Sequence, residues 1–310
     1  MTCASVLRMK AALRFELLAL GLSLTLVAAA SWAQTPAPPL PVMRPLICAD
    51  TLLGRSGNLR AILACEGSSS NQHAYQLFPR KVLARAARKP GLYDAGVSAS
   101  DGSPVVLLSM VPFGAKRGSQ LGKYRIGRWP QELAGSAYSY ARPDGFIKVT
   151  KENVNTPVSR RFRLGDFLTH DQSDVWPKYL VLKTSLIDKL ELIGDALLLA
   201  GRSDSVKILS GFRTPEYNAK GVGTGGRASD SRHMYGDAAD IFVDGNGNGT
   251  MDDLNRDGLV SIDDARWLAD LVERVEKQHP TLVGGLSAYP ANFEHGPFVH
   301  TDCRGHAARW

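Results

Sequence analysis

Two histidines and an aspartate in the C-terminal half of the chain carry side chains that together suit a metal ion. His233 and Asp240 lie in one short segment, and His300 follows much later. Two imidazoles and one carboxylate are a donor set that zinc accepts, and a catalytic zinc ion keeps a fourth position for water. Gly236 and Ala238 are small, which lets the backbone approach such a site closely. These residue types are compatible with a zinc site, but on type and spacing alone each histidine is equally an ordinary surface or core residue.

Hydrophobic patterning predicts the elements that must position this site. In a strand over 298–303, Phe298, His300 and Asp302 share one face, and Asp240 on a neighbouring strand could lie opposite His300. The apolar spacing predicts two helices, and β-type runs predict further strands. Helices are predicted over 176–200, ended by Gly201, and over 264–278, with strands over 206–212, 240–243 and 282–289. This order indicates an α+β domain with an antiparallel sheet.

The first half of the chain has a different character. Short β-type runs at 105–108, 123–126 and 146–149 lie between turns, which predicts a small β-rich domain over 46–157 ahead of a second domain over 158–310. No motif in the first domain carries chemistry. Packing against the second half and protein interaction both stay open as its role.

The N-terminus is typical of a secretory signal. Basic residues precede the apolar stretch 17–30, and Ser31-Trp32-Ala33 supplies small residues for cleavage before Gln34. We therefore expect a signal peptide over 1–33, followed by an extended Pro-rich linker over 34–45. Because no second apolar stretch approaches spanning length, we expect a periplasmic or cell-envelope protein without a stable membrane span after cleavage.

Composition narrows the class of protein. The chain has 310 residues, with 44% hydrophobic and 22% charged residues and a net charge of +7. This balance is typical of a globular protein and excludes a mostly disordered, collagen-like or coiled-coil chain. No basic run interleaved with aromatic residues indicates a nucleic-acid partner. In an exported protein, Cys48 and Cys65 are expected to form a local disulfide, with Cys303 left as a buried thiol in a strand. The oligomeric state stays open.

A second metal signal lies between Asp240 and the last helix. The segment 253–264 places oxygen-bearing side chains at positions 1, 3, 5, 9 and 12 and Gly258 at position 6, as a calcium loop requires. An aspartate at position 12 resembles dockerin-like loops. The predicted calcium ligands are Asp253, Asn255, Asp257, Leu259, Ser261 and Asp264.

The segment just before it repeats the alternation of oxygen-bearing residues. It predicts a second calcium site formed by Asp244, Asn246, Asn248 and Asp252, or else a turn that binds nothing. Because these carboxylates would repel one another without a cation, we expect a structural role for the whole insertion 244–264.

The pattern Ser231-x-His233-x-x-Gly236-x-Ala238-x-Asp240, followed by Val299-His300-x-Asp302, resembles the zinc D-Ala-D-Ala peptidases, of carboxypeptidase or murein endopeptidase type. Ser210-Gly211-Phe212-Arg213 adds to this resemblance, which covers about 162–310. It implies the hedgehog/D-Ala-D-Ala peptidase-like fold and peptidoglycan peptides as substrates. The resemblance also implies that His233, Asp240 and His300 bind zinc. It implies that Arg213 contacts the substrate and stabilises the oxyanion. Ser231 is implied to orient the loop or to bind substrate.

One position departs from that family. Many members carry an acidic general base three residues before the last ligand, where this chain has Pro297. His295 resembles a second active-site histidine of some relatives, and Glu294 has suitable chemistry if the chain bends at 296–297. Both are candidate catalytic residues. The expected function is an exported zinc metallopeptidase acting on stem peptides or cross-links; the alternative is an inactive cell-wall-binding protein stabilised by zinc and calcium.

Overall fold

The structure, a computed structural model, describes residues 45–47, 61–64, 90–98, 104–130, 132, 140–223 and 227–310. The predicted signal peptide, nearly all of the linker, and Cys48 and Cys65 lie outside these residues. Within the described ranges, no helix has the length and apolar character that crossing a bilayer demands.

The described residues combine helices with largely antiparallel sheets, which agrees with an α+β class. The helices are α1 (Thr184–Leu199), α2 (Pro215–Ala219) and α3 (Ile262–Gln278). The strands are β1 (Pro45–Ile47), β2 (Ala61–Ala64), β3 (Gly91–Ser98), β4 (Pro104–Ser109), β5 (Val111–Pro112), β6 (Gln120–Leu121), β7 (Tyr124–Arg125), β8 (Gly145–Val149), β9 (Lys178–Leu180), β10 (Val206–Ser210), β11 (Ala238–Val243), β12 (Gly285–Tyr289), β13 (Phe298–Asp302) and β14 (Ala308–Arg309).

A five-stranded sheet organises the C-terminal half. Its strand order is β10-β11-β13-β12-β14, and all neighbours are antiparallel except β12 and β14. Helix α3 packs on β12 and β13, and α1 packs on α3. Ile241 and Val299 are fully buried and alternate along their strands with Asp240 and His300. Since alternate residues point to opposite faces, one face forms the core and the other carries the polar residues.

The predicted helix over 176–200 is two elements. Residues Lys178–Leu180 form β9, which pairs with β8, and α1 begins only at Thr184. Pro177 explains the difference, because proline lacks the donor that a helix interior needs and favours an extended residue before it. The helix ends at Leu199, and Gly201 follows in the left-handed conformation with φ 66°, so the predicted stop is confirmed.

Strands from the first half of the chain make three further sheets. Their orders are β1-β2-β4-β3, β5-β8-β9 and β6-β7. The β8–β9 pairing joins residues before and after 157 in one sheet. Trp129 is buried and donates a hydrogen bond from Nε1 to the backbone oxygen of Met234 at 3.0 Å. This bond ties the first half to the segment that carries His233.

A buried charge network fixes the end of β13. Lys189 on α1 is fully buried and donates from Nζ to Glu276 Oε1 at 2.5 Å and to the backbone oxygen of Asp302 at 2.7 Å. A buried charge is tolerated only when it is paired and hydrogen-bonded, as here. The network therefore holds α1, α3 and β13 in one arrangement.

Cys303 follows β13 directly instead of lying within it. It is a free, partly exposed thiol, and burial raises its pKa to about 12. A thiol with so high a pKa carries almost no thiolate at neutral pH and is a poor nucleophile.

We predict that Gly236→Ala destabilises the protein more than the control Gly201→Ala. Both glycines have positive φ, 73° and 66°, which costs alanine about 1–2 kcal/mol. A Cβ at Gly236 would also lie 2.4 Å from the backbone oxygen of Val181, whereas nothing lies within 4 Å at Gly201. Such overpacking adds about 1–3 kcal/mol. Urea unfolding measures both, and equal losses would contradict the predicted contact.

Candidate metal centre

Three donor atoms converge at the polar face of the five-stranded sheet. His233 Nε2 lies 3.2 Å from Asp240 Oδ1 and 3.2 Å from His300 Nδ1, and His300 Nδ1 lies 2.9 Å from Asp240 Oδ1. All three residues are buried. Donors bonded tetrahedrally to one zinc ion at its usual bond lengths would stand about 3.3 Å apart. The triangle therefore fits a zinc ion.

Strand register assembles most of this centre. Asp240 pairs with Ser210 on one side and with His300 on the other, and His300 pairs in turn with Ser287. These four residues form one row across β10, β11, β13 and β12. His233 reaches the row from a 3-10 turn, Arg232–Tyr235, which Gly236 ends in the left-handed conformation.

Each imidazole is oriented by a second partner. The Nδ1 of His233 lies 2.7 Å from the backbone oxygen of Gly211, and the Nε2 of His300 lies 3.2 Å from Asp302 Oδ2. When these nitrogens carry the protons, the facing nitrogens keep their lone pairs for a metal. Asp302 is itself held by the backbone N–H of Gly285 at 2.8 Å and by Arg304 Nη2 at 2.5 Å.

The charges around the three side chains determine the ionisation state of the carboxylate. Burial lowers the pKa of His233, with Asp240 opposing that shift and Arg213 adding to it. Burial opposes ionisation of Asp240, but His233, His300 and Arg213 hold the pKa of that carboxyl well below its usual range. For His300, hydrogen bonds to Asp240 and Asp302 outweigh burial and raise the pKa. Asp240 therefore stays an anionic ligand at neutral pH.

Arg213 lies beside the centre and contacts a ligand directly. Its Nη2 donates to Asp240 Oδ2, and its Nε donates to Ser210 Oγ at 2.8 Å. The guanidinium thus holds the carboxylate oxygen that does not face the histidines. Its side chain is 14% exposed, so part of it remains accessible to solvent. Contact with substrate stays a prediction.

Ser231 is buried immediately before the 3-10 turn. Its backbone oxygen accepts a hydrogen bond from the backbone N–H of Met234 at 3.0 Å, and its side chain does not cap the turn. The residue starts the turn that presents His233. Its predicted substrate contact stays a prediction.

The two candidate bases, Glu294 and His295, differ in exposure and in contacts. Asn292 Oδ1 accepts hydrogen bonds from the backbone N–H groups of Glu294 and His295, which turns the chain before Pro297. Glu294 is exposed. His295 is half-buried and packs edge-on against Phe298, with ring centroids 4.8 Å apart. Phe298 shares a strand face with His300, two residues further along β13.

Two further residues lie around the site, and the sequence assigns no role to either. The ring of Trp310 lies 5.4 Å from that of His300. Partial burial and the positive charges of Arg213 and Arg227 lower the pKa of His170, which places these three side chains within electrostatic range. No spacing signal marks Trp310 or His170, because both reach the site through long-range contacts.

The predicted calcium loop folds around its own carboxylates. Asp253 accepts hydrogen bonds from the backbone N–H groups of Arg256, Asp257 and Gly258. Asp264 accepts from those of Leu254, Asn255 and Ser261, and with Ser261 it also caps α3. Among the described residues, the three zinc-site side chains are the His, Cys, Asp or Glu set that converges on one point. Calcium binding stays a prediction.

The preceding segment, 244–252, also folds around its own carboxylates. Asp244 accepts from the backbone N–H groups of Asn248 and Gly249, and Asp252 Oδ2 accepts from that of Gly245. Asn246 Oδ1 also accepts from Asn248. Within the described part of the chain, Asp252 Oδ1 is buried without a hydrogen-bond partner.

The fold brings His233, Asp240 and His300 together on the polar face of an α+β sheet, where the three side chains could hold a metal ion. Residues 170–260 match the family model described as Peptidase M15, a family of zinc peptidases. The match spans less than a third of the chain and includes Arg213, Ser231, His233 and Asp240, but it ends before His300. No curated protein and no solved structure matches the chain.

We predict that Asp302→Asn weakens zinc binding about 10- to 100-fold, because an amide is a poorer acceptor for the ligand's N–H than a carboxylate. Competition with a chromogenic chelator measures the zinc dissociation constant. Asp263→Asn is the matched control, since Asp263 is exposed and pairs with Arg266 away from the centre. Equal zinc affinity in the two variants would contradict the orienting role of Asp302.

Proposed function

We propose that this chain is an exported zinc metallopeptidase that hydrolyses peptide bonds in the stem peptides or cross-links of bacterial peptidoglycan. The observation that carries the proposal is the convergence of His233, Asp240 and His300 within 3.2 Å of one another. The Peptidase M15 match over 170–260 supports the reaction class and the substrate class. Export rests on the signal-like segment 1–33.

The three converging side chains would hold the metal. A bound zinc ion supplies Lewis-acid polarisation of the scissile carbonyl and lowers the pKa of a water ligand. Arg213 keeps Asp240 anionic and fixed through Asp240 Oδ2. Its positive charge also stabilises negative charge that develops on the carbonyl oxygen. The protein thus supplies two buried imidazoles and one buried carboxylate, with the guanidinium of Arg213 beside them.

His295 supplies the proton transfers in this proposal. Its Nδ1 lies 2.8 Å from the backbone oxygen of Gly296, which orients the proton to Nδ1 and leaves the lone pair on Nε2. Nε2 can accept a proton from the attacking water and later deliver it to the leaving amine. Glu294 is exposed in the adjoining turn and is the weaker candidate.

A second function is a cell-wall-binding protein that holds zinc and calcium without turnover. Pro297 favours it, because this buried residue occupies the position of the family's acidic base. The two functions share the metal centre and differ in whether a peptide bond is broken.

We predict that the zinc-loaded mature protein cleaves purified peptidoglycan and that His300→Ala abolishes cleavage by removing a metal ligand. His306→Ala is the control, since this exposed histidine lies outside the centre. Mass spectrometry of the released fragments identifies the new amine and carboxyl termini. Intact peptide bonds in a protein that holds one zinc ion per chain would favour the binding function instead.

We predict that His295→Ala lowers kcat at least about 100-fold while KM changes little, as expected when a general base is lost. Glu294→Ala changes exposed charge in the same turn and should keep kcat within about twofold. Steady-state kinetics on a defined stem peptide separates the two variants. A larger loss of kcat in Glu294→Ala would assign the base to Glu294.

We also propose that the loop 253–264 binds a calcium ion and that the segment 244–255 binds a second. The carboxylates that fold each segment on itself support this, as does the partnerless Asp252 Oδ1. We predict that calcium raises the thermal midpoint of the metal-free protein and that Asp257→Asn reduces this increase, whereas Asp263→Asn preserves it. An unchanged midpoint at millimolar calcium would count against both sites.

A further inference from the structure

Trp310 is exposed and yet held in place. Its side chain is 57% exposed, whereas Trp129 is only 3% exposed. The indole Nε1 donates to Tyr289 Oη at 2.6 Å, and the backbone oxygen accepts from Ser287 Oγ at 2.5 Å. Both the ring and the backbone of Trp310 are therefore fixed although little apolar surface is buried.

The residue before Trp310 anchors it to the buried network. Arg309 pairs with Leu286 in the β12–β14 ladder, donates to the backbone oxygen of Gly284 at 2.7 Å and forms an ion pair with Glu276. Glu276 is the partner of the buried Lys189. The position of the indole is thus tied to the core of the domain.

These anchors place the ring at the metal centre. Ser287 pairs directly with His300 in the β12–β13 ladder, and the indole lies 5.4 Å from the imidazole of His300 at an angle of 48°. Next to it, Tyr289 stacks on Phe298 with ring centroids 4.8 Å apart, and Phe298 contacts His295. Trp310, Tyr289, Phe298 and His295 form a continuous aromatic border, here called the aromatic wall.

Positive charge also lies beside the centre. Arg213 contacts Asp240, and Arg227 and Tyr289 both lie within electrostatic range of Arg213. A ligand at the metal therefore meets both an aromatic surface and a guanidinium. A short peptide with an apolar side chain and a carbonyl or carboxylate group matches this combination.

We propose that Trp310 is a substrate-positioning residue, whose exposed indole surface packs against an apolar side chain of the peptide next to the scissile bond. The inference rests on the proposed function for the identity of the peptide. A ring that served only to support β14 would be buried like Trp129. Trp310 stays 57% exposed even with the guanidinium of Arg304 5.4 Å from its ring centroid, so part of the indole is available to a ligand.

Calorimetry on the zinc-loaded protein tests this role without requiring turnover. The probes are a synthetic alanine-containing stem peptide and, separately, the peptide-free glycan. We expect Trp310→Ala to weaken peptide binding about tenfold and Trp310→Phe to restore it to within about threefold, since a fixed aromatic face carries the contact. Zinc affinity and the unfolding midpoint should stay unchanged. Trp267→Ala, on α3 against Arg202, is the matched control.

The possible outcomes distinguish the role of Trp310 from the proposed peptidase function. Peptide binding by Trp310→Ala within twofold of wild type would overturn the proposal, as would loss of zinc affinity in parallel with peptide affinity. A wild-type protein that binds the glycan but not the peptide would overturn it as well. Peptide binding that depends on Trp310, without any hydrolysis, would support the aromatic wall and overturn the proposed peptidase function alone.

Discussion

The pairing of β11 with β13 is the constraint on which the site depends. It sets Asp240 directly opposite His300, so that a carboxylate oxygen and an imidazole nitrogen face each other at 2.9 Å. A one-residue slip of β13 against β11 would turn His300 to the core face and leave Asp240 without its partner. The turn that ends at Gly236 then adds His233, and three lone-pair-bearing atoms meet in a buried place where a cation satisfies them all.

The rest of the domain keeps this arrangement rigid. Lys189 and Glu276 hold the end of β13 from the core side, and Asp302 with Arg304 orients His300 from the polar side. Glu276 of this network also forms an ion pair with Arg309, the residue before Trp310 in the aromatic wall. The candidate metal ligands and the aromatic wall are therefore held by one set of buried charges.

The sequence predicts the donor residues well because their types and local spacing carry the signal, and strand alternation predicts Asp240 opposite His300. It fails where contacts are distant. Leu180 fits a helix by spacing, yet its partner is Ile147 in β8, which no local pattern reveals. The position of Trp310 likewise depends on a parallel pairing of β12 with β14, which no local pattern reveals. A single sequence indicates which residue types could bind a metal, whereas it does not indicate which distant strands pair with each other.

Zinc K-edge X-ray absorption on the purified protein tests the central claim most directly. The account predicts one zinc ion per chain with only nitrogen and oxygen donors at about 2.0–2.1 Å and clear imidazole scattering. Sulfur scattering at about 2.3 Å, or a protein that retains no zinc in the presence of intact His233, Asp240 and His300, would contradict it.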